Sequence, residues 1–88
     1  MTSGGPRAED HRARQALGQA VRGLRERCGL SQEELAARAE VEPAQISRLE
    51  AGQADPGWGE ARRIAAALDS SVDQLAELVE KIEAEAAD

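Results

Sequence analysis

The residues able to do chemistry are few, and their spacing excludes most reactions. Cys28 is the only cysteine and His11 the only histidine among 88 residues. Neither an internal disulfide nor a zinc site of the common kinds can therefore form. The chain has no nucleophile–base pair, no metal cluster and no glycine-rich phosphate loop, so it reads as a non-enzyme without cofactor or metal. What stands out is one segment, Ser31 to Gly52, where two short helical patterns are joined by about three residues, Glu40-Val41-Glu42. So tight a joint makes the helices cross steeply. Leu35, Ala36, Val41, Ile46 and Leu49 share the inside, and Ala36 is small because the helices cross closely there. At about 100° per residue with Ile46 inward, Ala44, Ser47, Arg48 and Ala51 point outward, with Gln45 on the flank.

Five helical patterns position this segment, and Ala, Leu, Glu and Arg, all good helix formers, dominate the composition. Residues 1–14 read as a flexible tail, opened by the breakers Gly4, Gly5 and Pro6. The first helix spans roughly Gln15 to Cys28, with Leu17, Ala20, Val21, Leu24 and Cys28 on one face and Gly29 as its stop. Ser31-Gln32-Glu33-Glu34 is a capping box that starts the second helix, which ends near Ala39. Pro43 suits the first position of the third, and Gly52 ends it. The fourth carries Trp58, Ala61, Ile64, Ala65 and Leu68 on one face; a second capping box, Ser71-Val72-Asp73-Gln74, opens the fifth. There the stripe Val72, Leu75, Val79, Ile82 and Ala86 reads as core at its start and, at Val79 and Ile82, as a dimer seam.

Charge narrows the partners. Residues 1–68 hold ten basic and ten acidic residues and cancel, whereas residues 69–88 hold one Lys and seven acids and carry the whole net charge of −6. The acidic balance thus lies beyond Ser31–Gly52 and does not argue against a nucleic-acid partner. With no Phe or Tyr and a single Trp, base-stacking binders of single strands or RNA are excluded. No apolar run reaches the roughly 18–20 residues of a membrane span, and residues 1–14 lack the apolar stretch of a secretory signal. A lone free thiol fits a reducing, cytoplasmic setting.

Leu30-Ser31-Gln32-Glu33-Glu34-Leu35-Ala36 followed by Ile46-Ser47-Arg48-Leu49-Glu50-Ala51-Gly52 resembles the phage repressor and Cro (xenobiotic-response-element) family of helix-turn-helix proteins. The likeness runs in order over about residues 16–78, through Leu24-Arg25-Glu26-Arg27, Pro56, Ile64-Ala65-Ala66-Ala67-Leu68 and Ser71-Val72-Asp73-Gln74-Leu75. It implies an all-α, five-helix, lambda-repressor-like DNA-binding domain over residues 15–78, followed by an acidic helix end over residues 79–88. It also implies that the third helix enters the major groove of double-stranded DNA, where Ala44, Gln45, Ser47 and Arg48 face the bases. Arg48 would pair with guanine, Gln45 with adenine, and Ala44 would touch a thymine methyl. Ser31 and Gln32 at the start of the second helix, and Gln53 after the third, would bind phosphates. An ion pair between Arg25 and Glu50 is implied as well.

Two positions depart from the family. Glu40 stands where relatives usually have Gly in a left-handed conformation, which a non-Gly residue adopts only at a cost, so the turn is expected to differ slightly there. The loop Ala51-Gly52-Gln53-Ala54-Asp55 lacks the Lys or Arg that many relatives carry, which leaves Arg7, Arg12 and Arg14 as a compensating arm on the duplex. Cys28 and Trp58 read as buried core, and His11 as incidental. Arg22, Arg27, Arg62 and Arg63 read as solvated surface, with DNA-backbone contact as the alternative. The expectation is a cytoplasmic transcriptional regulator or repressor, homodimeric on a palindromic operator. The alternatives are a restriction–modification controller, or an antitoxin or interaction module with weak DNA binding and a protein partner such as a toxin.

Overall fold

Helix formers separated by short breaker-containing joints give five helices in the computed structural model, which describes residues 8–86: α1 (Ala8–Arg27), α2 (Gln32–Ala39), α3 (Pro43–Glu50), α4 (Trp58–Ala67) and α5 (Val72–Ala86). The described residues include no strand, so the fold is all-α as the sequence implies. Both capping boxes form. The Ser31 hydroxyl accepts the Glu34 N–H at 3.0 Å, and the Glu34 carboxylate accepts the Ser31 N–H at 2.8 Å. The Ser31 backbone bond, followed by that of its hydroxyl, holds the Glu34 carboxyl below its ordinary pKa. The cap therefore contributes stability above the normal carboxylate range and loses it as pH falls through the lowered value. Gln74 and Ser71 repeat the arrangement at α5, with bonds of 3.1 and 3.0 Å.

The first four helices end in the same way. Gly29, Glu40, Gly52 and Asp69 each take positive φ (71°, 59°, 77° and 56°). The following N–H reaches back to a carbonyl five residues earlier: Leu30 to Arg25, Val41 to Ala36, Gln53 to Arg48 and Ser70 to Ala65, at 2.8–3.0 Å. These are Schellman closures, which satisfy the last carbonyls and turn the chain sharply. Glu40 adopts the left-handed conformation expected of a glycine.

Helix α1 lies between α3 and α5, while α2 packs on α3 and α4. Val21, Leu35, Ile46 and Ile64 form the fully buried centre. The approach of α1 to α3 depends on Gly18. A Cβ there would lie 2.5 Å from the Leu49 carbonyl oxygen and 2.7 Å from that of Glu50, closer than packed atoms tolerate.

Four expectations need correction. First, α1 begins at Ala8, not Gln15, and residues 1–7 of the expected tail, with Arg7, lie outside the described residues. Residues 8–14 join the helix because α5 runs beside them: Ala13 and Leu17 share a groove with Val72, Leu75 and Val79. Arg12 and Arg14 are thus on a helix rather than a free arm, and Arg14 pairs with Asp55 at 3.4 Å. Second, because α1 is longer, Val79 and Ile82 are half-buried against the chain's own core. Part of their surface stays exposed, and only that part is left for a second copy.

Third, Trp58 is 69 % exposed. It is the first residue of α4, nearly two turns before the level at which Ile64 and Ala65 enter the core. Fourth, Cys28 is exposed. It follows the last residue of α1, in the turn, and its thiol points at the Leu68 carbonyl, 3.7 Å away.

Replacing Glu40 by glycine removes the left-handed penalty of a side chain while adding unfolded-state entropy. The expected outcome is a gain of up to about 1 kcal/mol, read as a melting temperature several degrees higher. A lower melting temperature would show that contacts of the Glu40 side chain outweigh the backbone strain.

Candidate nucleic-acid interface

The outward face of α3 is set by what its inward face must bury. Ile46 and Leu49 are buried, and Ile46 meets Leu35 and Ala36 of α2 in the core. One helical rotation then leaves Ala44, Ser47, Arg48 and Ala51 exposed and Gln45 half-buried on the flank, as the 100° arithmetic requires. The helix starts at Pro43 behind Glu42, whose backbone is extended and whose side chain makes no cap bond. Proline at this position gives up only an N–H that would have no helical partner.

The far end of α3 is fixed by a buried ion pair. Arg25 donates Nε to Glu50 at 2.6 Å and Nη2 at 3.0 Å, a bidentate contact with side chains only 12 and 5 % exposed. Its Nη1 donates to the Leu30 carbonyl at 2.8 Å. Glu50's hydrogen bond raises the Arg25 pKa, against the opposing effect of burial, so the guanidinium stays charged. Gln32 joins the group by donating Nε2 to Glu50 at 2.9 Å. Among the described residues, no buried side-chain nitrogen or oxygen lacks a partner.

The expected DNA-contacting residues fall into three places. On the α3 face, Arg48 Nη2 donates to Gln45 Oε1, and Gln45 Nε2 donates to Glu60 of α4 at 3.3 Å. At the start of α2, Ser31 is exposed and Gln32 half-buried. Gln32 spends one amide N–H on Glu50 and keeps one for another acceptor. Gln53 is exposed just past α3, its backbone N–H taken by the Arg48 carbonyl.

Sequence reasoning missed two residues. Glu60 accepts from Gln45 and is linked through it to Arg48, and no periodicity links positions on different helices. Arg63, read as surface, donates Nε to the Ala39 carbonyl at 3.1 Å. It therefore closes the end of α2, a role that basic residues commonly take at helix C-termini but rarely across from another helix. Arg22 pairs with Glu26 in the open at 3.1 Å, a contact worth little.

A helix pair of this shape, with its second member turned outward, is what known proteins share with this chain. The helix-turn-helix domain family matches residues 16–78. The chain belongs to that family. Among solved structures, the clp gene regulator ClgR from Corynebacterium glutamicum superposes with a TM-score of 0.82 at 31% identity, covering 85% of this chain and 80% of that one. A second structure of the ClgR regulator gives 0.73 at 30% identity, covering 78% and 90%. The restriction-modification controller protein C.AhdI from Aeromonas hydrophila gives 0.69 at 32% identity, covering 70% and 94%. No curated protein sequence matches significantly. The family and these neighbours are regulators, not enzymes. No helix among the described residues is long and apolar enough to cross a membrane.

Two measurements follow for this helix-turn-helix chain. Arg25→Ala should cost about 3–5 kcal/mol in urea unfolding, because it strands the Glu50 carboxylate, whereas a double replacement of Arg25 and Glu50 by apolar residues should recover most of that loss. Equal instability of both variants would show that the contact to Leu30, not the ion pair, matters. Trp58 should fluoresce as a water-exposed indole in the folded protein, so unfolding should shift its emission little; a strong red shift would place it in the core.

Proposed function

We propose that the chain is a sequence-specific double-stranded DNA-binding transcriptional regulator, acting in the cytoplasm as a homodimer on a palindromic operator, with α3 in the major groove. The observation that carries this reading is the exposed face of Ala44, Ser47 and Arg48 on a helix held from behind by Ile46, Leu49 and the Arg25–Glu50 pair. A rigid helix presenting a guanidinium and an amide fits base-edge recognition, with Arg48 on guanine as the chief contact. Ser31, the remaining N–H of Gln32, and Gln53 supply phosphate contacts that set register. They are neutral groups, so the salt dependence should be shallow. Dimerisation supplies affinity that one near-neutral head lacks, and Val79 and Ile82 remain its proposed seam through the surface they leave exposed.

A second reading, a module that binds a protein partner such as a toxin, is favoured by Trp58, the one exposed large hydrophobic side chain among the described residues. Selection from a random duplex library at about 50 and 200 mM salt separates the two. Enrichment of one palindrome, bound more weakly at the higher salt, supports the regulator; no enrichment at either salt overturns it. On the enriched duplex, Arg48→Ala should cost about 1–3 kcal/mol and relax one base position. A uniform loss across all sequences would make Arg48 a phosphate contact instead.

A further inference from the structure

Three side chains from two helices form one chain of hydrogen bonds at the edge of the α3 face: Arg48 to Gln45 to Glu60. The direction of that chain is fixed by its ends. A guanidinium has only donors and a carboxylate only acceptors. The amide between them must therefore turn its oxygen to Arg48 and its nitrogen to Glu60. The flipped amide would set donors against donors on one side and acceptors against acceptors on the other. Glu60 thus removes the freedom that an isolated glutamine amide has, and Arg48 is held against Gln45 as a result. Glu60 is half-buried near the first turn of α4, a helix anchored by Ile64 and Ala65 in the core. Its carboxylate is not a floppy surface group.

We infer that Glu60 is a specificity-determining positioning residue. It selects one of the two hydrogen-bond patterns that Gln45 can present and holds Arg48 with it, while its negative charge weakens binding to every duplex alike. This rests on the DNA-reading proposal and deepens it. A glutamate in the first turn also favours its own helix through the dipole, but that role predicts a change in stability and none in base preference.

The test compares the duplex-selection profiles of wild type, Glu60→Ala and Glu60→Gln, each checked for folding by thermal melting. It adds the side-chain amide NMR signals of Gln45 in the DNA-free protein, assigned by their loss in Gln45→Ala. Glu60→Ala should move those signals and lower discrimination at the Gln45 and Arg48 base positions, on the order of tenfold. Glu60→Gln keeps an acceptor and removes the charge. It should bind all duplexes more tightly but discriminate less at the Gln45 position, because an amide can also offer Gln45 a donor. A wild-type profile that persists in Glu60→Ala, or Gln45 signals that do not move, overturns the inference while leaving the DNA reading in place. A Glu60→Gln variant with the wild-type preference intact or unchanged affinity overturns it also, and does so even if the alanine variant fails to fold. If the wild type itself enriches no sequence, the DNA reading fails and the inference falls with it.

Discussion

The arrangement of the first three helices depends on one guanidinium. Arg25 meets Glu50 with two nitrogens and the Leu30 carbonyl with the third, and Gln32 closes the group on Glu50. A single side chain thereby ties the end of α1, the turn after it, the start of α2 and the end of α3. Burying such a pair costs nearly as much desolvation as the attraction returns. Its importance is geometric: apolar contacts tolerate sliding, whereas a bidentate contact has one orientation. The Ile46–Leu49 side of α3 sets which face is buried, and the ion pair sets where the helix ends. Gly18 completes the constraint, since only a residue without Cβ lets α1 lie on the Leu49 and Glu50 carbonyls.

The joints contribute in a second way. Four successive helices close with a left-handed residue and a six-to-one hydrogen bond, so the chain turns sharply at the end of each, and joints of four, three, seven and four residues link them. Two of these positions are glycines. Asp69 belongs to a residue type that tolerates the left-handed region better than most. Glu40 does not, and its strain sits in the joint that aims α3. The surrounding contacts, Val41 to the Ala36 carbonyl and Arg63 to the Ala39 carbonyl, hold it there.

What could be read from the sequence was whatever is encoded locally. Capping boxes are patterns of four residues, and both formed. The outward face of α3 follows from helical pitch and one inward residue. The Arg25–Glu50 pair came with the family resemblance and is present; the turn at Glu40, expected to differ slightly from that of relatives with Gly, keeps the left-handed conformation. Most of the misreadings needed a neighbour distant in sequence. Residues 8–14 look polar and unpatterned until α5 is placed beside them, and the same pairing occupies Val79 and Ile82. Trp58 has the right helical phase for burial but lies short of the core along the axis, a coordinate that periodicity does not contain. Cys28 lies one residue beyond its helix, where phase ceases to apply. Glu60 and Arg63 act on groups 15 and 24 residues away, across helix pairs whose spacing no local pattern records.

The acidic residues concentrated along α5 have a consequence for how the molecule moves. Because α1 separates α5 from α3, the negative end of the protein lies apart from its reading helix, and the chain behaves as an electric dipole. In the field of a polyanion such a body feels a torque as well as a net repulsion. On a duplex bound as proposed, the torque would turn α5 outward and α3 inward before contact. Encounters would therefore be biased toward the proposed orientation even though the total charge opposes approach. That orienting effect fades once separations exceed a Debye length of about 8–10 Å.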